Sequence, residues 1–251
     1  MKRSFVIVGY GRIGKRHANH ILNYGNLVAI VDSDETARNE ADEEFGEAVK
    51  IFKSIIELKS LGLDMIDIVS ICSPNGLHYE HANQAIELGL SVLVEKPITL
   101  RTKDAHKLIE KAEKFNARVF AVKQNRFNPP VQFLRNLIQE HKLGAIYSFQ
   151  LNCFWNRNND YYSTSNWKGT KKLDGGVLYT QFSHFIDLLI WMLGNIEVEY
   201  ATINRLNKNR NIEIEDGGSC ILNAVDHGCS GTMNYSINAT SKNMEGSLLI
   251  I

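Results

Sequence analysis

The chain has 251 residues, 44% apolar and 22% charged, with 28 Lys plus Arg against 28 Asp plus Glu, the profile of an ordinary globular protein of one or two domains. Zero net charge gives no long-range pull on nucleic acid or an anionic membrane, and no apolar run approaches the roughly 20 residues of a bilayer span. Met1 leads straight into a strand-like run without a signal peptide's charged head, and four scattered cysteines lack C-x-x-C spacing, so we expect a soluble, cytoplasmic protein with no disulfide framework or zinc knuckle.

Residues 4–8, 26–32, 65–72, 91–95 and 118–122 are short, nearly continuous apolar runs, as strands covered on both faces require. Residues 13–22, 77–88 and 102–115 read as helices between them. The last sets Ala105, Leu108, Ile109 and Ala112 on one side and Lys or Glu on the other. This alternation predicts a parallel, doubly wound sheet with right-handed crossovers. Asn128-Pro129-Pro130 interrupts the pattern and opens a helix to about residue 141. Strand-like runs follow at 146–155, 198–206, 219–225 and 231–237, with one apolar helix, 181–193, between the first two. Strands in a row predict a second, open and mostly antiparallel sheet. The boundary is expected at 118–130, giving domains 1–122 and 123–251. The closing run, 245–251, reads as a strand that either ends the second domain or belongs to a sheet cut short.

Gly9-Tyr10-Gly11-Arg12-Ile13-Gly14 follows the first strand and opens a helix. Its first glycine permits a tight turn, its second a close approach to a pyrophosphate, its third close helix–strand packing. The helix N-terminus, from Gly11, Arg12 and Ile13 onward, then offers N–H groups to phosphates. Asp32 ends the second strand, about 20 residues after the motif, where a carboxylate binds ribose hydroxyls and repels a 2′-phosphate; NAD is the expected cofactor. The third strand ends in Cys72-Ser73-Pro74-Asn75-Gly76-Leu77-His78, so Ser73, Asn75 and His78 fall beside the crevice at the strands' carboxyl ends. Ser73 or Asn75 capping the next helix is the other reading of that turn. The fourth strand ends in Glu95-Lys96-Pro97. A lysine there can donate to a substrate hydroxyl or shuttle a proton; the plain alternative is a lysine paired with a surface acid.

Together GYGRIG (9–14), Asp32, CSPNGLH (72–78), EKP (95–97) and DGGVLYTQFSHFIDLL (174–189) resemble the glucose–fructose oxidoreductase / inositol dehydrogenase (Gfo/Idh/MocA) family. The resemblance implies a Rossmann domain followed by an open-faced sheet domain for substrate and oligomerisation. It implies NAD(P)-dependent chemistry at a sugar or polyol carbon, Lys96 and His184 as the catalytic pair, Glu95 and Lys96 at the cofactor, and a homodimer or homotetramer. It also implies a longer second domain than this chain provides. Where the family commonly has an aspartate four residues before the histidine, this sequence has Thr180, so proton abstraction rests on His184 alone or on Lys96.

The last block, preceded by FWNRNNDYYSTSNWKGTKK (154–172), is similar to bacterial dehydrogenases acting on UDP-N-acetylglucosaminuronate, which oxidise its C3 hydroxyl with NAD in making surface polysaccharide. Arg157, Lys168, Lys171 and Lys172 suit a diphosphate and a carboxylate, and Tyr161, Tyr162 and Trp167 suit a sugar or uracil face. Arg157, Trp167, Lys171, Thr180 and His184 are thus the expected substrate contacts. An unactivated monosaccharide or inositol is the alternative substrate, and a non-enzymatic NAD- or sugar-sensing regulator the alternative class. His17, His20, His78 and His81 pair at i, i+3, but no acid or cysteine set completes a metal site; no metal is expected.

Overall fold

A computed structural model describes residues 2–207 and 211–251. The chain divides into two compact units, the first ending at Val122 and the second beginning at Lys123.

In the first unit the elements run β1 (Ser4–Val8), α1 (Arg12–Tyr24), β2 (Asn26–Val31), α2 (Glu35–Phe45), β3 (Lys50–Phe52), β4 (Ile68–Ile71), α3 (His78–Glu87), β5 (Ser91–Val94), α4 (Thr102–Lys114) and β6 (Val119–Ala121). The six strands form one parallel sheet in the order β3-β2-β1-β4-β5-β6. Successive side chains of β1 feed two cores. Val6 and Val8 pack with Ala82, Ala85 and Leu108, while Ile7 packs with Ala18, Ile21 and Ala41. Apolar residues must therefore follow one another without alternation, as the sequence does. The order in which strands are added switches sides between the parallel neighbours β1 and β4, which opens a crevice at their carboxyl ends.

Two elements of this unit are silent in the sequence. The helix α2 buries only Ala41 behind an otherwise charged run, and β3 has three residues, too few for a period to show. The expected strand 65–72 is shorter than its apolar run, because Leu63–Met65 closes a 3₁₀ turn and β4 begins only at Ile68.

The second unit runs α5 (Pro129–Gln139), β7 (Ser148–Phe154), α6 (Asn159–Ser163), α7 (Val177–Thr180), α8 (Ser183–Leu193), β8 (Ile196–Asn204), β9 (Gly217–Ala224), β10 (Cys229–Ser236) and β11 (Glu245–Ile250). Its sheet has the order β11-β7-β10-β9-β8. Three pairings are antiparallel and one, β7 with β10, is parallel. One face is core, where Phe149, Leu151, Leu222 and Met233 meet Leu189, Met192 and Leu193 of α8. Gln150, Tyr200, Ile221 and Leu249 are exposed, leaving the other face open. The closing apolar run is the edge strand β11, paired antiparallel with β7.

The helix expected over 181–193 is α8, which begins at Ser183, and the separate four-residue α7 precedes it. The turn at Gln181-Phe182 sends Phe182 into the core, fully buried, with its ring 5.5 Å from Trp155 and 5.7 Å from Tyr235. Gly231 on β10 has a similar packing role. A Cβ there would lie 2.4 Å from the Phe149 carbonyl oxygen and 2.5 Å from its ring. Gly231→Ala should therefore destabilise the second unit by about 2 kcal/mol or more, the usual cost of overpacking, measured by urea unfolding. An unchanged midpoint would show that β7 and β10 do not approach so closely.

Candidate active site

The glycine motif forms a cradle whose three glycines have different jobs. Gly9 has φ +94°, and its N–H donates to the Val31 carbonyl at 2.8 Å. A Cβ on it would sit 2.7 Å from the Ser73 nitrogen, so the loops after β1 and β4 cross at van der Waals contact. A Cβ on Gly14 would lie 2.0 Å from the Gly9 carbonyl oxygen. At Gly11 a Cβ would meet nothing within 4 Å. Gly11 is also the N-cap of α1, which has neither a side-chain cap nor an acid in its first turn. Its first N–H groups, from exposed Arg12 and half-buried Ile13, are therefore available to an anion.

The Asp32 carboxylate accepts the N–H of Tyr10 at 2.6 Å and of Asp34 at 2.9 Å, clasping the end of β2 to the glycine loop. Arg38 donates from Nη1 to the Asp32 and Ser33 carbonyls. A cleft of about 440 Å³, lined by Gly11, Arg12, Lys15, Asp34 and Thr36 among others, opens beside the loop. An open glycine, an uncapped helix start and a fixed carboxylate together fit a dinucleotide with an unmodified ribose.

His78 is 1% exposed, with Nδ1 2.6 Å from the Pro97 carbonyl and Nε2 2.8 Å from the Ser73 carbonyl. Both ring nitrogens are occupied by backbone, so His78 braces two loops beside the crevice. Its place at a strand end is readable from sequence, but the direction of its side chain is not. The Ser73 hydroxyl is 2.9 Å from His81 Nδ1. Asn75 is buried, and the N-cap residue of α3 is Leu77. Glu95 sits 3.0 Å from His17 Nε2 and accepts the Lys96 N–H at 3.0 Å. Burial raises the Glu95 carboxyl, but His17 and Lys96 outweigh it and hold it below the usual carboxylate range. Burial pushes the His78 and His81 rings toward the neutral form, against the carbonyls on His78 that favour the cation.

In the second unit, His184 is buried in the first turn of α8. Thr180 donates its hydroxyl to the carboxylate and the carbonyl of Asp174, and that carboxylate also accepts the Gly169 N–H at 2.7 Å. The position that commonly carries an acid in the family thus carries a hydroxyl that holds one. Arg157 lies between the Trp155 and Tyr161 rings, 4.9 and 5.1 Å from their centroids, and donates to Gln181 at 2.8 Å. Gln181 in turn donates to the Tyr161 hydroxyl at 2.7 Å, and Lys168 stands 4.5 Å from the same ring. The structure therefore brings Arg157 together with Tyr161 and Lys168, and Thr180 with Asp174. Trp167 is half-buried and Lys171 exposed on the intervening loop, where the Lys171 N–H donates to Glu213 at 2.8 Å. Asp174 and Gln181 were not singled out by sequence, because a lone acid or amide has no spacing to mark it.

Nearby, Gly176 has φ +137°, and a Cβ on it would fall 2.7 Å from both carboxylate oxygens of Glu215, one of which accepts the Leu178 N–H at 3.2 Å. Further along α8, Asp187 receives a two-pronged bond from Arg126 at 2.7 and 2.6 Å. Among the described residues no group of three His, Cys, Asp or Glu side chains converges as a metal site, and no helix is long and apolar enough to cross a membrane.

The first unit is a dinucleotide-binding Rossmann domain. Residues 3–123 match the oxidoreductase family with an NAD-binding Rossmann fold, and residues 131–251 match the GFO/IDH/MocA C-terminal domain. The chain belongs to the GFO/IDH/MocA family. Two solved relatives, the WlbA dehydrogenases of Bordetella pertussis and Chromobacterium violaceum, each in complex with NADH and UDP-GlcNAcA, are 34% identical to it. They superpose with TM-scores of 0.93 and 0.91 over 100% of this chain and 71% of theirs. The D-glucoside 3-dehydrogenase of Escherichia coli is 32% identical over 146 residues, 56% of this chain and 40% of that protein. The scyllo-inositol 2-dehydrogenase (NADP⁺) of Bacillus subtilis is 25% identical over 217 residues, 84% of this chain and 56% of its own. The chain spans between 35% and 47% of the length of the first curated relatives it matches.

Two measurements follow from the first unit. Gly11→Ala should leave the melting temperature unchanged and weaken NAD binding about tenfold or more, because the new methyl occupies space the pyrophosphate needs; equal affinity would place the phosphates elsewhere. Stability should also fall with acid in two stages. The unfolded chain protonates His78 and His81 below about pH 6.5, where the folded rings resist, and Glu95 adds a second loss below about pH 4.3 as its carboxylate is titrated. A melting temperature flat from pH 7.5 to 5 would contradict the histidine shifts, and one flat from pH 5 to 3 that of Glu95.

Proposed function

We propose that this chain is the cofactor-binding and substrate-binding part of an NAD-dependent dehydrogenase that oxidises a sugar hydroxyl. The specific substrate position we infer is C3 of UDP-N-acetylglucosaminuronate, in making surface polysaccharide precursors. The observation that carries the reading is the likeness along the whole chain, at 34% identity, to two dehydrogenases solved with NADH and UDP-GlcNAcA. Residues 1–122 would bind the cofactor and 123–251 the sugar, in a cytoplasmic homodimer or homotetramer of the kind the family resemblance supports.

When bound, NAD supplies the hydride acceptor. Gly9, Gly11 and Gly14 hold the backbone open to its pyrophosphate, and Asp32 takes the ribose hydroxyls. His184 removes the proton from the sugar hydroxyl; an imidazole is suited to that at neutral pH. Lys96, in the first unit, can donate to a substrate hydroxyl and stabilise developing negative charge. Thr180 secures the buried Asp174 in the segment that leads to His184. Arg157, stacked between Trp155 and Tyr161, supports recognition of an anionic ligand, with Lys171 and Trp167 on the adjoining loop.

The matches to a D-glucoside dehydrogenase and an inositol dehydrogenase favour a second reading, an unactivated sugar or polyol substrate. Calorimetric titration of the NAD-loaded full-length protein separates them. Selective binding of UDP-N-acetylglucosaminuronate over glucose and myo-inositol is expected, and preference for a free polyol would overturn the nucleotide-sugar assignment. His184→Ala and Lys96→Ala should each lower turnover by about 100-fold or more, and in His184→Ala NAD affinity should stay within about twofold. Full turnover in either variant removes that residue from the chemistry.

A further inference from the structure

The histidines at 17 and 78 match no metal pattern, yet each is tied to a residue adjoining Lys96. Glu95 on one side of it presents Oε1 to His17 Nε2 at 3.0 Å and Oε2 to the Lys96 N–H at 3.0 Å. The other nitrogen of His17 is 2.7 Å from the hydroxyl of Ser70, a fully buried residue of β4. One imidazole of α1 therefore joins β4 to the end of β5. Pro97 on the other side of Lys96 has its carbonyl 2.6 Å from His78 Nδ1, and the same ring reaches the Ser73 carbonyl at 2.8 Å.

We propose that His17 and His78 are positioning residues for Lys96, which they clamp by holding Glu95 from α1 and Pro97 from α3. This rests on the reading of Lys96 as a catalytic residue. The physical reason for histidine is its shape. A flat ring with a hydrogen-bonding atom at each side bridges two partners at 2.7 and 3.0 Å. A carboxylate on Nε2 requires a proton there, and Ser70 then serves Nδ1 through a hydroxyl that can donate or accept. Both helices begin at the crevice, α1 directly after the glycine motif and α3 after the Ser73 turn. The clamp thus sets the backbone of Lys96 relative to the elements that hold the dinucleotide. A displacement of about 1 Å in a reacting group is enough to cost up to about 100-fold in rate.

The test uses the full-length protein and two readouts, amide hydrogen exchange over residues 93–98 and steady-state kinetics. His17→Leu and His78→Leu should speed exchange of that segment, including the Lys96 N–H, by about tenfold or more while β1 and α4 keep their protection. They should lower kcat about tenfold or more with less than about a threefold change in NAD affinity. His17→Gln, which keeps an N–H for Glu95, should recover most of both. His17→Asn, which reaches Ser70 and not Glu95, should stay defective, and this pair decides the matter where the leucine variants fail to fold. Unchanged exchange in the leucine variants, or glutamine no better than asparagine, overturns the clamp. A wild-type protein that oxidises no nucleotide sugar or polyol, with exchange still responding to His17, supports the clamp and overturns the functional reading instead.

Discussion

The first unit depends on how closely α1 can come to the end of β1. With 2.0 Å between a hypothetical Cβ on Gly14 and the Gly9 carbonyl oxygen, no other side chain fits, and the helix start is pressed directly against the loop that precedes it. That contact aims the uncapped N–H groups of α1 into the crevice, and it places the Tyr10 N–H within reach of Asp32. The same helix carries His17 inward to Glu95. Loss of the contact would disturb the phosphate seat, the ribose acid and the lysine loop together.

Carboxylates drawn out of water in both units follow one rule. Each carboxylate taken out of water has donors assigned to it: His17 and the Lys96 N–H for Glu95, Thr180 and the Gly169 N–H for Asp174, the Arg126 fork for Asp187. A buried charge without partners would cost more than a small domain can spare. These groups therefore double as constraints on geometry, because moving any of them means breaking its bonds. Asp187 shows the balance: burial raises its carboxyl, while Arg126 and Lys123 bring it below the usual range.

What could be read in advance was local. Glycine spacing, an acid at a strand end and a lysine before proline lie within a few residues, and each has a stereochemical reason that survives any tertiary context. Partnerships across the fold were not readable. His17 meets Glu95 from 78 positions away, and Arg157 meets Gln181 from 24. The parallel pairing of β7 with β10 joins strands separated by two others in sequence. The helix expected from residue 181 begins at Ser183, because Gln181 and Phe182 form the turn that buries the Phe182 ring. Spacing places His78 at a strand end, but its bonds to the Pro97 and Ser73 carbonyls depend on which way the ring turns, which spacing does not fix.

The pairing of Gly176 with Glu215 has an evolutionary consequence. The carboxylate occupies the volume that a Cβ on residue 176 would need, and it binds the Leu178 N–H. Neither position is free to drift alone. Any larger residue at 176 would evict the acid, while a shorter one at 215 would leave the start of α7 short of an acceptor and a hole beside the glycine. Homologues should therefore exchange the two residues together or keep both, a correlated history written into a few cubic ångströms.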